Sequence, residues 1–296
     1  EFLSAGSVKA TTFLPDFSNF NSIAFLAGIV LLFAGMEVGA VHVTEMEKPA
    51  TQFPKAIFSA MFIIIIIFTL GSLAIAVVMP ASDINLNAGI MQGFKELLHK
   101  FGINWLLPVM GLLAAFGAVG GVFGWIAGPS KGLLATAMDG DLPPFMAKTN
   151  KNGVPQNILI IQGCIVTVVS FVFLVMPNIS SAFFILSILT VAPYLIMYFL
   201  LYASAIRLRY TQPDVPRAYK LPGGKFGMWL VAGIGIIAVL FAFIIGFFPP
   251  SQLSIGSPTF YVWFLIIGVL VFVLIPIIIG YIKKPEWKQG DNTSTS

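Results

Sequence analysis

Gly35-Met36-Glu37-Val38-Gly39-Ala40 lies inside an apolar run that reaches from about Ile23 to Val43. A carboxylate at that depth in a bilayer costs roughly 2.5–3.5 kcal/mol on insertion scales. The two glycines that flank Glu37, each two residues away, weaken a helix at the same place. Irregular backbone at membrane depth survives only where it is buried in protein or lines a wet cavity. A charge and a break in one span therefore point to a ligand or ion site inside the membrane.

The surrounding composition supports that premise. Of 296 residues, 58% are hydrophobic and only 9% charged, and the mean hydropathy is +0.95. Soluble domains carry about 25% charged residues, so the chain reads as an integral membrane protein. Seven runs reach the length of about 20 residues that a spanning helix needs; they lie near 22–43, 57–79, 103–135, 157–176, 181–204, 226–248 and 259–282. The stretch Ile63-Ile64-Ile65-Ile66-Ile67 has none of the alternation of a half-buried strand or a barrel strand. The expected fold is an all-α bundle with seven transmembrane helices.

The formal charge of +4 is informative through its distribution. One face receives Lys48, Lys55, Lys131, Lys148 and Lys151, then Arg207, Arg209, Arg217, Lys220 and Lys225, and finally Lys283, Lys284 and Lys288. The other receives only Lys9, Lys95 and Lys100. The rich face is expected to be cytoplasmic, which starts the chain outside and ends it inside. No charged n-region or signal core precedes the first span. An outside start and an odd span count suggest further spans upstream, with this chain as the C-terminal part.

Between the spans, Phe13, Leu14, Phe17 and Phe20 are expected at the outer surface, and a loop follows Pro80 through Ile84-Asn85-Leu86-Asn87. From Gly89 to Phe101, Ile90, Met91, Phe94, Leu97, Leu98 and Phe101 share one face, opposite Lys95, Glu96, His99 and Lys100. This predicts a short amphipathic helix on the outer interface. The third apolar stretch is too long for one straight span. Its Gly117, Gly120, Gly121, Gly124 and Gly128 form pairs four apart, which serve close helix packing or thin the wall of a substrate path. Residues 205–225, with Pro213, Pro216 and Pro222, read as a basic connector that anchors the topology. The tail after Tyr281 reads as polar and disordered. Cys164 allows no intrachain disulfide and reads as a small buried apolar residue.

A broken helix exposes backbone groups at mid-membrane, and its half-helix ends carry partial charge. Such a site holds the amino or carboxylate group of a zwitterion without a metal. Glu37 would bind a substrate ammonium, carry a proton, pair with a base in other spans, or simply hydrogen-bond a neighbouring helix. His42 and Glu45, three apart, share a face at the cytoplasmic end of the span. They suit either a pH-responsive pair or a satisfied helix terminus. Thr190, Tyr194, Tyr198 and Tyr202 fall at four-residue steps beside Pro193. Tyr202 fits the interfacial aromatic belt. Tyr194 at mid-depth needs a hydrogen-bond partner, from substrate or from another helix. Gly128-Pro129-Ser130-Lys131 lacks the phosphate-loop arrangement, so no nucleotide or nucleic-acid partner is expected, and Lys131 would snorkel to the interface. No metal, cofactor or enzymatic residue set is predicted.

The run Gly35-Met36-Glu37-Val38-Gly39-Ala40-Val41-His42-Val43-Thr44-Glu45-Met46, followed by Pro49, resembles the sixth helix of amino acid–polyamine–organocation transporters. Most similar are the bacterial glutamate/γ-aminobutyrate antiporters. Trp125-Ile126-Ala127-Gly128-Pro129-Ser130-Lys131-Gly132, Gly140-Asp141-Leu142-Pro143 and Asn150-Lys151-Asn152-Gly153-Val154-Pro155 resemble their eighth helix and following loop. Asn85-Leu86-Asn87-Ala88-Gly89 and Leu221-Pro222-Gly223-Gly224-Lys225 are similar too, so the likeness runs from about Phe13 to Pro285.

The resemblance implies a LeuT-type inverted-repeat fold. Residues 1–204 would be the second five-helix repeat, and 205–296 a cytoplasmic loop, two accessory helices and a short tail. It implies a substrate site at Gly35, Glu37, Gly39, Tyr194 and Tyr198, completed by an N-terminal repeat of the same polypeptide. The expected function is exchange of amino acids across a bacterial inner membrane, with small amino acids and the lipid bilayer as partners. Proton- or cation-coupled symport is the alternative. One departure is Gly121, where those antiporters carry a glutamate, which weakens the case for that substrate pair. A seven-helix receptor fits the span count, but there is no Asp-Arg-Tyr or Asn-Pro-x-x-Tyr run and no lysine within the last span.

Overall fold

The computed structural model describes residues 23–33, 35–80, 83–85, 88–217, 219–251 and 253–288. The expected outer segment around Phe13 to Phe20, Leu86-Asn87 and the last residues of the tail lie outside them. The described residues contain helices and no strand. In order these are α1 (Phe25–Phe33), a 3-10 segment (Met36–Glu45), α2 (Pro49–Val78), α3 (Gly89–Lys100) and α4 (Leu107–Met138). They continue as α5 (Gln156–Ser170), α6 (Val172–Val175), α7 (Ile179–Thr211), α8 (Gly224–Gly246) and α9 (Pro258–Ile282).

Among the described residues six helices are long and apolar enough to cross a membrane, the α5–α6 pair being one of them. The remaining expected span, about residues 22–43, is not one helix. Its α-helical part ends at Phe33, and the backbone resumes as 3-10 from Met36. The third apolar stretch, expected to be too long for one straight span, is a single helix, α4, entered through a 3-10 turn at Asn104–Leu106. At 1.5 Å per residue its 32 residues reach about 48 Å. That exceeds the hydrocarbon thickness of about 30 Å, so tilt or protruding ends absorb the excess. The fifth span also outruns expectation. α7 continues through Thr211, so Arg207 and Arg209 sit on its last turns rather than in a loop. The guanidinium of Arg217 donates to the carbonyls of Leu208 (2.9 Å) and Gln212 (2.7 Å) and so satisfies that terminus.

The core lies where α1, α7, α8 and α9 meet, around Ile23, Ala27, Ile185, Ile188, Ile245 and Leu265. Tyr261 is fully buried there, and its hydroxyl donates to the carbonyl of Gly246, the last residue of α8, at 2.8 Å. Tyr261→Phe strands that carbonyl in an apolar setting, so the expected result is a stability loss of about 1–3 kcal/mol. Thermal unfolding in detergent measures it, and an unchanged melting temperature would assign the carbonyl another partner.

α2 and α4 pack against the 3-10 segment and against α3. Their other faces carry exposed large side chains, Phe62 at 60%, Phe116 at 67% and Phe123 at 67% among them. Hydrocarbon is as apolar as these side chains, so a lipid-facing or span-facing surface of this kind carries no hydrophobic penalty. α3 is the expected amphipathic helix. Gly93 and Leu98 are buried, while Lys95, Glu96, His99 and Lys100 are exposed.

Cys164 corrects an expectation: it is exposed, on the wall of a 710 Å³ apolar groove between α5 and α9. A thiol behaves as a small apolar group, and on a membrane-facing wall that role does not require burial in protein.

Candidate functional site

The break occurs at Gly35. Its φ of 99° lies in the left-handed region that glycine alone enters without strain, and its own residue caps the 3-10 segment. A Cβ there would stand 2.7 Å from the ring of Trp125 on α4. Glycine is thus required twice, by backbone conformation and by close approach. Gly39 differs from the symmetric role expected of it: its φ is ordinary, and no atom lies within 4 Å of where a Cβ would sit.

The turn at Gly35 brings Glu37 back toward α7. The hydroxyl of Tyr198 donates to Glu37 Oε2 at 2.8 Å. The Gly35 amide donates to the same oxygen at 3.2 Å and lies 3.4 Å from the Tyr198 hydroxyl. Glu37 Oε1 is buried and has no hydrogen-bond partner among the described residues. A carboxylate oxygen in that condition costs more than the pair it leaves incomplete, and it can accept from an ammonium or carry a proton.

Tyr194, one turn earlier on α7, stands 6.1 Å from the ring of Tyr198 and meets Trp125 edge-on at 6.0 Å. Gly35, Glu37, Tyr194 and Tyr198 therefore form one group. Tyr202 belongs elsewhere: its ring fills the space above Gly235 of α8, where a Cβ would come within 2.6 Å. Thr190 turns its hydroxyl back to the Leu186 carbonyl at 2.9 Å, as mid-helix threonines do. The two middle residues of the stripe thus stay together at the break, and its two ends do not join them.

Beside this group is a 530 Å³ cavity bounded by the 3-10 segment, α2 and α4. Gly35, Gly39, His42, Gly121, Gly124 and Trp125 are on its wall. The glycine face of α4 is closely packed at Gly128 and open at Gly121 and Gly124. Gly128 packs so closely on Val38 that a Cβ would collide with it, whereas Gly121 and Gly124 border open space. The residue missing from the predicted set is Trp125, which touches Gly35 and Tyr194 together. Its role depends on contacts with two distant elements, and no local pattern in the sequence signals it. The larger groove beside Cys164 has no converging polar groups, so the smaller cavity is the better candidate for a polar ligand; of the group at the break only Gly35 is on its wall.

At the far end of the 3-10 segment, His42 Nδ1 and Glu45 Oε2 are 2.9 Å apart. Lys131 of α4 also pairs with Glu45, which joins the two elements as well as satisfying an interface lysine. Hydrogen bonds from Lys131 and then His42 hold the Glu45 carboxyl below its usual value. Among the described residues no group of three or more His, Cys, Asp or Glu could hold a metal ion.

The family model described as "Amino acid permease" matches residues 2–272. Relatives include an uncharacterized transporter of Legionella pneumophila, 40% identical over 266 residues, covering 90% of this chain and 57% of the relative. A glutamate/gamma-aminobutyrate antiporter of Lactococcus lactis is 34% identical over 289 residues, covering 97% of this chain and 57% of that protein. A probable agmatine/putrescine antiporter of the same species is 25% identical over 297 residues, covering 99% and 61%. The chain thus spans little more than half the length of the curated relatives it matches. The break, the all-helical membrane architecture and these matches agree: this chain belongs to the amino acid permease family, within the amino acid–polyamine–organocation superfamily.

Proposed function

We propose that this chain supplies one wall of an amino-acid exchange site that works by alternating access. The observation that carries the reading is Glu37. One carboxylate oxygen is held by Tyr198 and the Gly35 amide, and the other is buried without a partner. A carboxylate with a free acceptor suits the ammonium of an amino acid. Residues 1–204 would be the second inverted repeat and 205–296 the accessory part. The partner repeat would face Glu37, Tyr194 and Tyr198 from the other side. Glutamate/γ-aminobutyrate-type exchange is the substrate pair favoured by the two antiporter relatives at 34% identity, over the agmatine/putrescine pair of the one at 25%. The excess of Lys and Arg on one face supports a cytoplasmic C-terminus.

The test is counterflow in proteoliposomes carrying the full-length transporter. Exchange requires internal substrate, whereas symport proceeds on an ion gradient alone. Tyr198→Phe keeps the ring and removes the hydroxyl that anchors Glu37, so the expected result is a counterflow rate lowered about tenfold. An unchanged rate would remove Tyr198 from the site.

A further inference from the structure

We infer that the junction between the end of α7 and the start of α8 is a binding surface for an anionic phospholipid headgroup. Five cations gather between residues 205 and 230: Arg207, Arg209, Arg217, Lys220 and Lys225, against the single carboxylate Asp214. Among the described residues none of the five forms an ion pair with a carboxylate. Arg209 and Arg217 direct their donors to backbone carbonyls, which orders the junction and leaves its positive charge uncompensated.

Aromatic groups fix this charge at one depth. Lys225 Nζ lies 4.8 Å from the centroid of the Tyr210 ring, and the Trp229 indole donates to the Tyr210 hydroxyl at 2.9 Å. The three residues bind the two helices across a loop of a dozen residues. Amphipathic rings at this position match the headgroup level of a membrane. Directly along α8, Phe226 is 75% exposed and Trp229 and Leu230 are 51% exposed. An apolar strip thus begins where the cations end. A positive cluster above exposed apolar side chains complements one molecule in particular: a lipid with an anionic phosphodiester over acyl chains. A soluble anion would use the charge and leave the strip without a partner.

Native mass spectrometry of the full-length transporter, titrated with phosphatidylglycerol or with phosphatidylcholine of the same acyl chains, tests the inference. The expected result is retention of phosphatidylglycerol at least about tenfold above phosphatidylcholine. Lys220→Gln with Lys225→Gln should lower phosphatidylglycerol retention about fivefold or more and leave phosphatidylcholine retention unchanged. Lys95→Gln, on the opposite side of the membrane, should change neither. Equal retention of the two lipids would overturn the inference, as would a double variant with the wild-type preference. Competition by glycerol phosphate as effective as by the intact lipid would overturn it too, by showing a soluble-anion site. If the double variant does not fold, Lys220→Gln alone, at an exposed side chain, carries the same comparison.

Discussion

Glu37→Gln is expected to lower the initial rate of amino-acid counterflow about hundredfold, with the protein still folded. The substitution is close to isosteric, and its amide oxygen can take the place of Oε2, accepting from Tyr198 and the Gly35 amide as the carboxylate does. The change falls on the other oxygen. Where Glu37 Oε1 now offers a buried, unpartnered acceptor, glutamine presents an N–H₂ donor. An ammonium facing that donor loses a charge-assisted bond and meets a like dipole. Removing one partner of a buried, hydrogen-bonded charge pair costs about 2–5 kcal/mol, which brackets a hundredfold loss.

The same substitution separates the uses a buried carboxylate can have. If Glu37 only braces α7, glutamine retains the brace and counterflow persists. If Glu37 carries a proton for coupled uptake, glutamine abolishes the pH dependence of transport and leaves exchange at symmetric pH intact. Loss of exchange at every pH, with the melting temperature in detergent unchanged within about 1 kcal/mol of stability, is the result for a substrate-binding role. Counterflow at the wild-type rate would remove Glu37 from the site.

The parts of this site that were legible in the sequence were those with a cost attached. A glutamate in an apolar run and a glycine beside it are each unfavourable in a plain membrane helix, so their coincidence was readable without coordinates. Tyr194 is readable for the same reason, since a phenol at mid-depth needs a partner, and Tyr198 follows it one step along the same stripe, where the bond to Glu37 is made. The identity of the partner is not readable. Tyr198 lies 161 residues from Glu37, and no local pattern links them. Trp125 passed as one more apolar residue because its role depends on Gly35, and nothing in the spacing of α4 aims it there. Gly39 balances Gly35 in the sequence, but of the two Gly35 alone has the positive φ. The extension of α7 through Thr211 is hidden in the sequence because arginines there read as loop charge. At a helix C-terminus they are favourable residues, and Arg217 completes the end from a distance.

Gly35→Ala is the second large effect, and it separates the backbone of the break from its chemistry. An alanine at φ 99° pays about 1–2 kcal/mol for the left-handed region. Its methyl group also meets Trp125 at 2.7 Å, so the indole must move off its position. Overpacking of this kind adds about 1–3 kcal/mol. The expected result is a lower melting temperature in detergent together with counterflow reduced more than about tenfold, because Glu37 is aimed by the turn and Tyr194 rests on the indole. Gly39→Ala is the matched comparison: its backbone is ordinary and its surroundings are open, so stability should stay within about 0.5 kcal/mol. Combining Gly35→Ala with Trp125→Phe removes the collision and keeps the backbone strain. Partial recovery of stability in that double variant would divide the cost between the two causes. If Gly35→Ala alone melts and transports like the wild type, the break lies elsewhere in the span and the site must be rebuilt around it.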